Sequence, residues 1–174
     1  MKKLLASAVI AAGLLGSGSA FAQAANSSSA TAAGSVTIVR PLTITNTSGL
    51  AFGRIVKPRT GDGTVSIANN SNTVVAGSGA VALSGITTSR AVFTVDGEGG
   101  QAIGISMPSS MTLSGNGDTI EVTLAPDFGS TETLSGALAG SGSKTLNVGG
   151  GFDLPSAQAS GAYTGSFTVT VAYQ

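Results

Sequence analysis

The chain has 174 residues, with eight Lys and Arg against eight Asp and Glu, and it contains no Cys, His or Trp. Without cysteine it can form no disulfide bond and carry no lipoprotein anchor, and without histidine it lacks the usual general base and the commonest metal ligand. The balanced charge offers no basic surface for nucleic acid or for an anionic membrane. We therefore expect a protein that is not an enzyme, with no cofactor, no nucleic-acid partner and no stable membrane insertion.

The first 22 residues have the organisation of a cleaved secretory signal. Lys2 and Lys3 precede an apolar run from Leu4 to Leu15, and Ala20-Phe21-Ala22 supplies a small–x–small cleavage pattern. A run of about a dozen apolar residues is too short for a helix across roughly 30 Å of hydrocarbon. We expect export to the periplasm, the cell surface or the medium, as a mature chain from Gln23 with a net charge of about −2.

The mature chain is expected to begin with a flexible tail, because residues 23–34 are small, polar and low in complexity. From Ser35 the pattern changes to alternating apolar and polar residues, which predicts a first β-strand over Ser35–Thr45. Its apolar residues are Val36, Ile38, Leu42 and Ile44. Pro41 interrupts this strand, and because proline cannot donate to a ladder, the strand is expected at a sheet edge or with a bend.

Seven further short strands are predicted, separated by glycine-rich turns. The strands are Leu50–Val56, Thr64–Ala68, Ala80–Leu83, Ala91–Val95, Ala102–Met107, Thr119–Leu124 and Lys144–Val148. The turns are Thr60–Gly63, Asp96–Gly100, Ser114–Asp118 and Gly140–Ser143. Three consecutive glycines at 149–151 are expected to loosen whatever strand they interrupt. No stretch of the mature chain has a helical apolar period, so the helix content should be close to nil.

The last twelve residues, 163–174, have the strongest strand pattern in the chain. One face carries apolar and aromatic side chains: Tyr163, Phe167, Val169, Val171 and Tyr173. We predict that this segment is the closing strand, deep in a sheet, with its aromatic residues in the core. Together the elements predict a single antiparallel β-sandwich over residues 35–174, Ig-like or Greek-key, with roughly seven to ten strands.

Three short motifs are compatible with chemistry but are better interpreted as turns. Ser141-Gly-Ser-Lys144 has the S-x-x-K spacing of serine acyl-transferases, which hold the two residues one turn apart on a helix. Here the residues are predicted to lie in a glycine hairpin. Gly115-Asn-Gly-Asp118 resembles half of a calcium-binding nonapeptide, and Asp96-Gly-Glu98 is a second small acidic pair. One copy cannot supply the roughly six to eight oxygen ligands that calcium prefers.

The remaining charged residues give no defined site. Three acidic residues that a glycosidase could use are scattered among predicted loops: Asp127, Glu132 and Asp153. Three basic residues lie close together in the sequence: Arg54, Lys57 and Arg59. A small anion site there is conceivable, although a solvated loop is the preferred interpretation.

Motifs near both ends of the chain resemble a family of uncharacterised secreted bacterial β-domains. Pro41-Leu-Thr-Ile-Thr45 and Leu50-Ala-Phe-Gly-Arg-Ile55 lie near the start, and Phe93-Thr-Val-Asp-Gly97 lies mid-chain. The sequence closes with the pattern G-x-Y-x-G-x-F-x-V-x-V-x-Y over residues 161–173. That family is in turn similar, distantly, to spore-coat-protein-U-type and chaperone–usher fimbrial subunits.

The resemblance implies an exported Ig-like sandwich that polymerises, with copies of itself or a periplasmic chaperone and usher as partners. In fimbrial subunits an N-terminal extension of one subunit supplies a missing strand to the next. Residues 23–34 lack the large apolar side chains that a donor strand needs. Residues 36–44 are the better donor candidate, although we favour the interpretation that they form the domain's own first strand.

Two hypotheses for the function follow. The first is a non-enzymatic structural protein of the bacterial cell surface, a fimbria-like or pilin-like subunit assembled by β-strand addition. The alternative is a self-contained secreted binding module for carbohydrate or for another envelope protein. Tyr163 and Tyr173 are the only tyrosines, and both belong to the predicted core face, so an aromatic platform for sugars is hard to build from this chain.

Overall fold

The computed structural model describes residues 28–174, and within them it is all β, as predicted from the sequence. The expected signal sequence at 1–22, and residues 23–27 of the expected tail, lie outside the described residues. Among residues 28–174 no helix is long and apolar enough to cross a membrane. The twelve strands are β1 (Thr43–Ser48), β2 (Ile55–Val56), β3 (Asp62–Ile67), β4 (Val74–Gly77), β5 (Val81–Ala82), β6 (Ala91–Glu98), β7 (Ala102–Ser106), β8 (Ser110–Gly115), β9 (Asp118–Pro126), β10 (Thr131–Thr133), β11 (Ser141–Pro155) and β12 (Thr170–Tyr173).

The strands form three antiparallel sheets in a sandwich-like arrangement. The main sheet has seven strands in the order β1-β6-β11-β3-β4, with β9 paired to β11 and β8 paired to β9. A three-stranded sheet has the order β10-β7-β12, and a two-stranded ribbon pairs β2 with β5. The count exceeds the predicted seven to ten because β4, β8 and β10 are separate short strands that the sequence pattern did not reveal.

Strand β11 is the centre of the fold, and the glycine triplet does not loosen it. Val148 pairs with Ala91 of β6 and also with Pro126 of β9, whereas Gly150 pairs with Ile67 of β3 and Leu124 of β9. Along one edge, β11 therefore pairs first with β6 and then with β3, whereas its other edge pairs with β9. A Cβ atom at Gly149 would overlap the carbonyl oxygen of Ile67. The glycines allow the neighbouring backbone to approach closely, and our expectation of a loosened strand was wrong.

The interior consists of two apolar clusters on the inner side of this framework. The larger one gathers residues of β3, β8, β9 and the second half of β11 around Val65, Val122 and Val148. The smaller one lies between β6, β7 and the first half of β11, around Val95, Ile103 and Leu146. Four half-buried side chains pack against both clusters and join them: Phe93, Met107, Phe128 and Phe167.

The N-terminal strand is shorter than predicted. Residues 28–42 carry no strand, and β1 begins only at Thr43, at the edge of the main sheet. Pro41 explains the start, because it has no N–H to donate and favours an extended, non-ladder conformation before it. Of the predicted strand Ser35–Thr45, only the last three residues are in β1. Leu42 and Ile44 pack against the smaller cluster, whereas Val36 and Ile38 are exposed.

The C-terminal strand is also shorter than predicted, and it is not deep in a sheet. Only Thr170–Tyr173 form β12, which is an outer strand of the three-stranded sheet. Before it, Thr164 makes an isolated bridge to Ser114 of β8. The side-chain alternation is nevertheless present: Val169 is buried, and the other four apolar residues of this face, Tyr163, Phe167, Val171 and Tyr173, are half-buried against the two clusters.

Two predicted turns lie inside strands. Asp96 and Glu98 are the last part of β6, and the turn there is formed by Gly99 and Gly100. The residues of the S-x-x-K motif begin β11 rather than forming a hairpin. In contrast, the Asn116-Gly117 turn between β8 and β9 is a hairpin of the expected kind, because both residues have positive φ angles of 52° and 78°.

Candidate functional site

A cleft of about 990 Å³ lies between two extended segments that flank the larger cluster. One wall is the segment 50–57, and the other is the segment 158–165. The floor is apolar, and it is formed by Met111, Leu113, Ile120, Phe152 and Leu154. The rings of Phe52 and Phe152 meet edge-to-face at 5.0 Å beneath the first wall. We refer to this cleft as the groove.

Both walls of the groove present peptide groups that lack partners within the described residues. Ala51 exchanges two backbone hydrogen bonds with Ser89, at 2.8 and 3.0 Å, so the peptide groups of Leu50 and Phe52 face away from Ser89. On the opposite wall, Thr164 exchanges two such bonds with β8, and the peptide groups of its neighbours face away from β8. Within residues 28–174, the backbones of Leu50, Phe52, Tyr163 and Gly165 make no hydrogen bond.

A polar cluster closes one end of the groove. The Lys57 ammonium donates to the carbonyl oxygen of Gln158 at 2.8 Å, and Gln158 Nε2 donates to the Tyr163 hydroxyl at 3.0 Å. The Tyr163 hydroxyl in turn donates to the carbonyl oxygen of Ala159 at 2.8 Å. Asp118 accepts from the N–H groups of Thr119 and Ala159. These bonds fix the second wall relative to the first and explain why the wall keeps its shape without a regular ladder.

The carboxyl group of Asp118 is held in its ionised form by the same loop. The N–H of Thr119 contributes most, and that of Ala159 contributes next, to a pKa below the ordinary aspartate value. Asp118 was considered above as a calcium ligand in the Gly115–Asp118 motif. Its two oxygens instead receive backbone N–H groups. Among residues 28–174, no group of three or more acidic side chains is placed to hold a metal ion.

A second feature is an exposed apolar segment, residues 35–39, which we call the arm. Val36 and Ile38 are 84% and 86% exposed, and Val39 is 40% exposed. Leaving large aliphatic side chains exposed to this degree is unfavourable, and it costs roughly 25 cal/mol relative to burial for each Å² left uncovered. The arm has the alternating apolar pattern of a strand and belongs to no strand.

The arm is held at its root by a buried carboxylate. Glu98 is 2% exposed, and its Oε2 accepts the N–H of Arg40 at 3.1 Å while its Oε1 accepts the N–H of Ala139. The Arg40 guanidinium lies 3.7 Å from the same carboxylate. Because a buried charge is costly unless it is paired and hydrogen-bonded, this arrangement fixes Arg40 firmly to the end of β6. From the sequence, Glu98 was only a weak calcium candidate, because nothing local indicates its contacts with Arg40 and Ala139.

The other charged residues proposed from the sequence have structural partners or lie apart. Ser141 and Lys144 lie three residues apart on β11 and so point to opposite faces, which excludes the helical geometry of an acyl-transferase pair. Lys144 pairs with Glu132 at 2.7 Å. Asp127 accepts from the backbone and side chain of Asn147, and Asp153 lies on β11.

Two of the three basic residues that lie close together in the sequence are found at the groove. Arg54 and Lys57 line the groove, and Arg59 is exposed beyond it. The ion pairs among residues 28–174 are Arg40–Glu98 and Lys144–Glu132, so none of these three cations is paired with a carboxylate there. The groove itself could not be found from the sequence, although the motif Leu50-Ala-Phe-Gly53 marks its first wall. Gly53 has a φ of 76°, which explains why glycine stands at that position.

The fold and the groove together define an antiparallel β-sandwich-like domain with an open groove between two extended segments. The chain belongs to the family described as "Domain of unknown function (DUF4402)", which matches residues 42–173. The match begins directly after the root of the arm. No curated protein and no solved structure matches the chain.

Proposed function

We propose that this protein is an exported, non-enzymatic structural subunit of the bacterial cell surface that assembles with copies of itself by β-strand addition. The arm of one copy, with Val36 and Ile38 as its anchoring side chains, enters the groove of the next. The observation that carries the proposal is the coexistence of an exposed strand-like segment and a groove with unpaired peptide groups in one chain.

The chemistry of the two surfaces matches. An inserted strand gains main-chain hydrogen bonds from both walls and buries alternate side chains in the apolar floor, which is the general mode of β-strand addition. Covering a Val or Ile side chain completely is worth about 1.5–3 kcal/mol each. Leu42 and Ile44 belong to the domain's own packing, so the donor residues reduce to Val36 and Ile38. The predicted first strand is thus divided at Arg40-Pro41 between the arm and β1.

The test is a pair of matched double substitutions in the arm. In Val36→Asp/Ile38→Asp the two apolar side chains become charged, whereas Ser35→Asp/Thr37→Asp places the same charge on the alternate positions. The full chain is expressed with its leader, and the periplasmic protein is examined by electron microscopy and on unboiled gels. We expect ladders or filaments from the wild type and the control and only monomer from the first variant. When each protein is held monomeric by dilution, all three should melt alike, because residues 35–38 are exposed in a single copy.

A wild-type protein that stays strictly monomeric, on the native cell surface as well as in solution, would overturn the proposal. If the two double variants assembled equally well, the proposal that the arm is the inserted strand would be wrong. A stable monomer that binds in a glycan array would favour the alternative of a secreted binding module. Assembly by a dedicated chaperone and usher is part of the proposal, and genes for both beside this one would support it.

A further inference from the structure

The exposed large aliphatic side chains of residues 28–174 fall into two groups. The first group lies on the arm or at its root and comprises Val36, Ile38, Val39 and Leu138. The second lies on or beside the β2–β5 ribbon and comprises Val56, Val81, Leu83 and Ile86, with Val75 on the adjacent β4. A monomer rarely concentrates such side chains without covering them in a complex.

The β2–β5 ribbon turns an apolar face to solvent. Val56 pairs directly with Val81, and the N–H of Leu83 donates to the carbonyl oxygen of Arg54 at 2.9 Å. Alternation along the two strands therefore places Arg54, Val56, Val81 and Leu83 on one face, while Ile55 on the other face packs against the core. The three apolar members of this face are 47%, 54% and 47% exposed in chain order. We refer to it as the ribbon face.

Leu138 is presented rigidly at the root of the arm. It lies in the turn before β11 and is 54% exposed. The next residue, Ala139, has a φ of 69°, a left-handed conformation that costs a non-glycine residue free energy, and its N–H is held by the buried Glu98 carboxylate. A Cβ atom at Gly99 would overlap the backbone of Ala137, so the turn presses directly on the end of β6. Because this turn is already held in place, its exposed leucine would lose little conformational freedom on docking, which lowers the cost of binding.

We infer that Leu138 of one copy docks on the ribbon face of the next copy, beside the groove that receives the arm. The inference rests on the proposed function, and it adds a second contact centred on Val81. Val81 does not line the groove, whereas Arg54, Val56 and Leu83 lie both on the ribbon face and along the groove. The two surfaces lie at opposite ends of β11, because Ser141 pairs with Glu98 at one end and Leu154 pairs with Gly63, whose Cβ position would meet Ala80, at the other. Such a contact joins unlike surfaces and builds an open, head-to-tail chain.

Charge favours the same partner. Three of the six basic residues in residues 28–174 lie at the ribbon end, at positions 54, 57 and 59, and none is paired with a carboxylate there. The acidic residues of that end, Asp62 and Asp153, lie on β3 and β11 rather than on the ribbon. The root end carries the exposed Asp96, opposite Thr43 at the start of β1, and Arg40 there is already paired with Glu98. A second copy thus offers a leucine to the apolar ribbon face and a carboxylate to the cations around it. Complementary signs of this kind orient partners before close contact.

Cysteine crosslinking tests the contact without interference, because the chain has no cysteine of its own. Two proteins are prepared, Leu138→Cys and Val81→Cys, each as the full chain recovered from the periplasm. They are mixed under assembly conditions and then oxidised. We expect a mixed disulfide dimer that forms only when both proteins are present and the arm is intact. A Thr123→Cys protein, with an exposed strand position on β9, replaces either partner as the control.

A complementary pair of charges gives a second measurement. Leu138→Asp should shorten the polymers and raise the concentration needed for assembly by tenfold or more, and adding Val81→Lys in the same chain should restore assembly. If wild-type protein polymerises through its arm but neither crosslinking nor rescue occurs, the docking inference is wrong and the proposed function stands. If the wild type forms no polymer and the mixed disulfide is also absent, both fail.

Discussion

The hydroxyl of Tyr173 donates to the carbonyl oxygen of Arg40 at 3.0 Å, across 133 residues of sequence. The same hydroxyl accepts the N–H of Glu98 at 2.7 Å, and Glu98 in turn accepts the N–H of Arg40. The N–H of Arg40 is therefore bound by the Glu98 side chain of β6, and its carbonyl oxygen by the Tyr173 side chain of β12. This closed set of bonds marks the boundary between the folded domain and the arm.

Tyr173→Phe should loosen the root of the arm while leaving the ring in place. The variant leaves the N–H of Glu98 and the carbonyl of Arg40 without their partner, which should cost about 1–3 kcal/mol of unfolding free energy. Urea denaturation measures the loss, and hydrogen exchange should be faster at the amides of Glu98 and Arg40. Tyr163→Phe is the matched control, because its hydroxyl serves the groove wall instead. Unchanged exchange at residue 40 in Tyr173→Phe would contradict this account of the root.

Gly149→Ala should be among the most disruptive single-methyl changes in the chain. The added Cβ would collide with the backbone of Ile67 and Asn69, where neither side can yield without opening the ladder. Overpacking of this kind costs about 1–3 kcal/mol or more. Gly49→Ala is the control, since a Cβ there meets nothing within 4 Å. Equal midpoints of urea denaturation for the two variants would show that the close approach at β11 is not required.

Phe167→Ala should weaken both clusters at once. The ring packs against each of them and meets Phe93 edge-to-face at 5.9 Å. We expect a loss of about 2–4 kcal/mol, near the lower end for a phenylalanine because the side chain is only half-buried. The neighbouring Thr168→Ala changes an exposed side chain and should be nearly neutral. If the two substitutions lower the melting temperature equally, residues 163–169 do not contribute to the core.

Stability should fall in acid partly through Glu132. The Lys144 ammonium, and then the N–H of Gly129, lower the pKa of this carboxyl below its ordinary value of 4.5. As the pH falls, the unfolded chain takes up the proton first, so the stabilisation is complete above pH 4.5 and is lost as the pH drops through the lowered native pKa. Both side chains are partly exposed, so the effect should be modest and sensitive to salt.

The measurement compares urea midpoints of the wild type and Glu132→Gln at about pH 6 and about pH 3.5. The variant should be less stable at the higher pH and should lose less on acidification. The pKa of Asp118 is also lowered in the native protein, so both proteins should still lose some stability in acid through this residue. Parallel losses in the two proteins would show that the Lys144 contact does not contribute.

The all-β class could be predicted from the sequence because period two and glycine turns are local signals. Strands with clear alternation, such as β3 and β7, were placed within two residues of their bounds. Strand β11 was predicted as five residues and spans fifteen, since its glycines look like breaks until the neighbouring backbones are known. The ladder at positions 163–169 was over-predicted, because the same alternation also suits an extended segment that only packs on a core.

The groove and the root of the arm depend on contacts between distant parts of the chain. Glu98 follows a valine-rich strand and precedes two glycines, so it was assigned to a turn. Its burial arises from Arg40 and Ala139, which the sequence places 58 and 41 residues away. The pairing of the segments 50–57 and 158–165 across the groove is likewise a product of topology. Of the features used in the proposal, only the alternating apolar residues Val36 and Ile38 could be identified from neighbouring sequence alone.

The position of the arm has a mechanical consequence. A pull on Arg40 passes along the chain into β1 and also through Glu98 into the end of β6, which lies between β1 and β11 in antiparallel ladders. Tension along these strands loads many backbone hydrogen bonds side by side, so they must break together rather than one after another. At the far end of β11, the ladder with β3 carries the same tension as far as the pair Pro155 and Asp62. If copies assemble as proposed, the resulting filament should resist stretching along its axis better than peeling from its side.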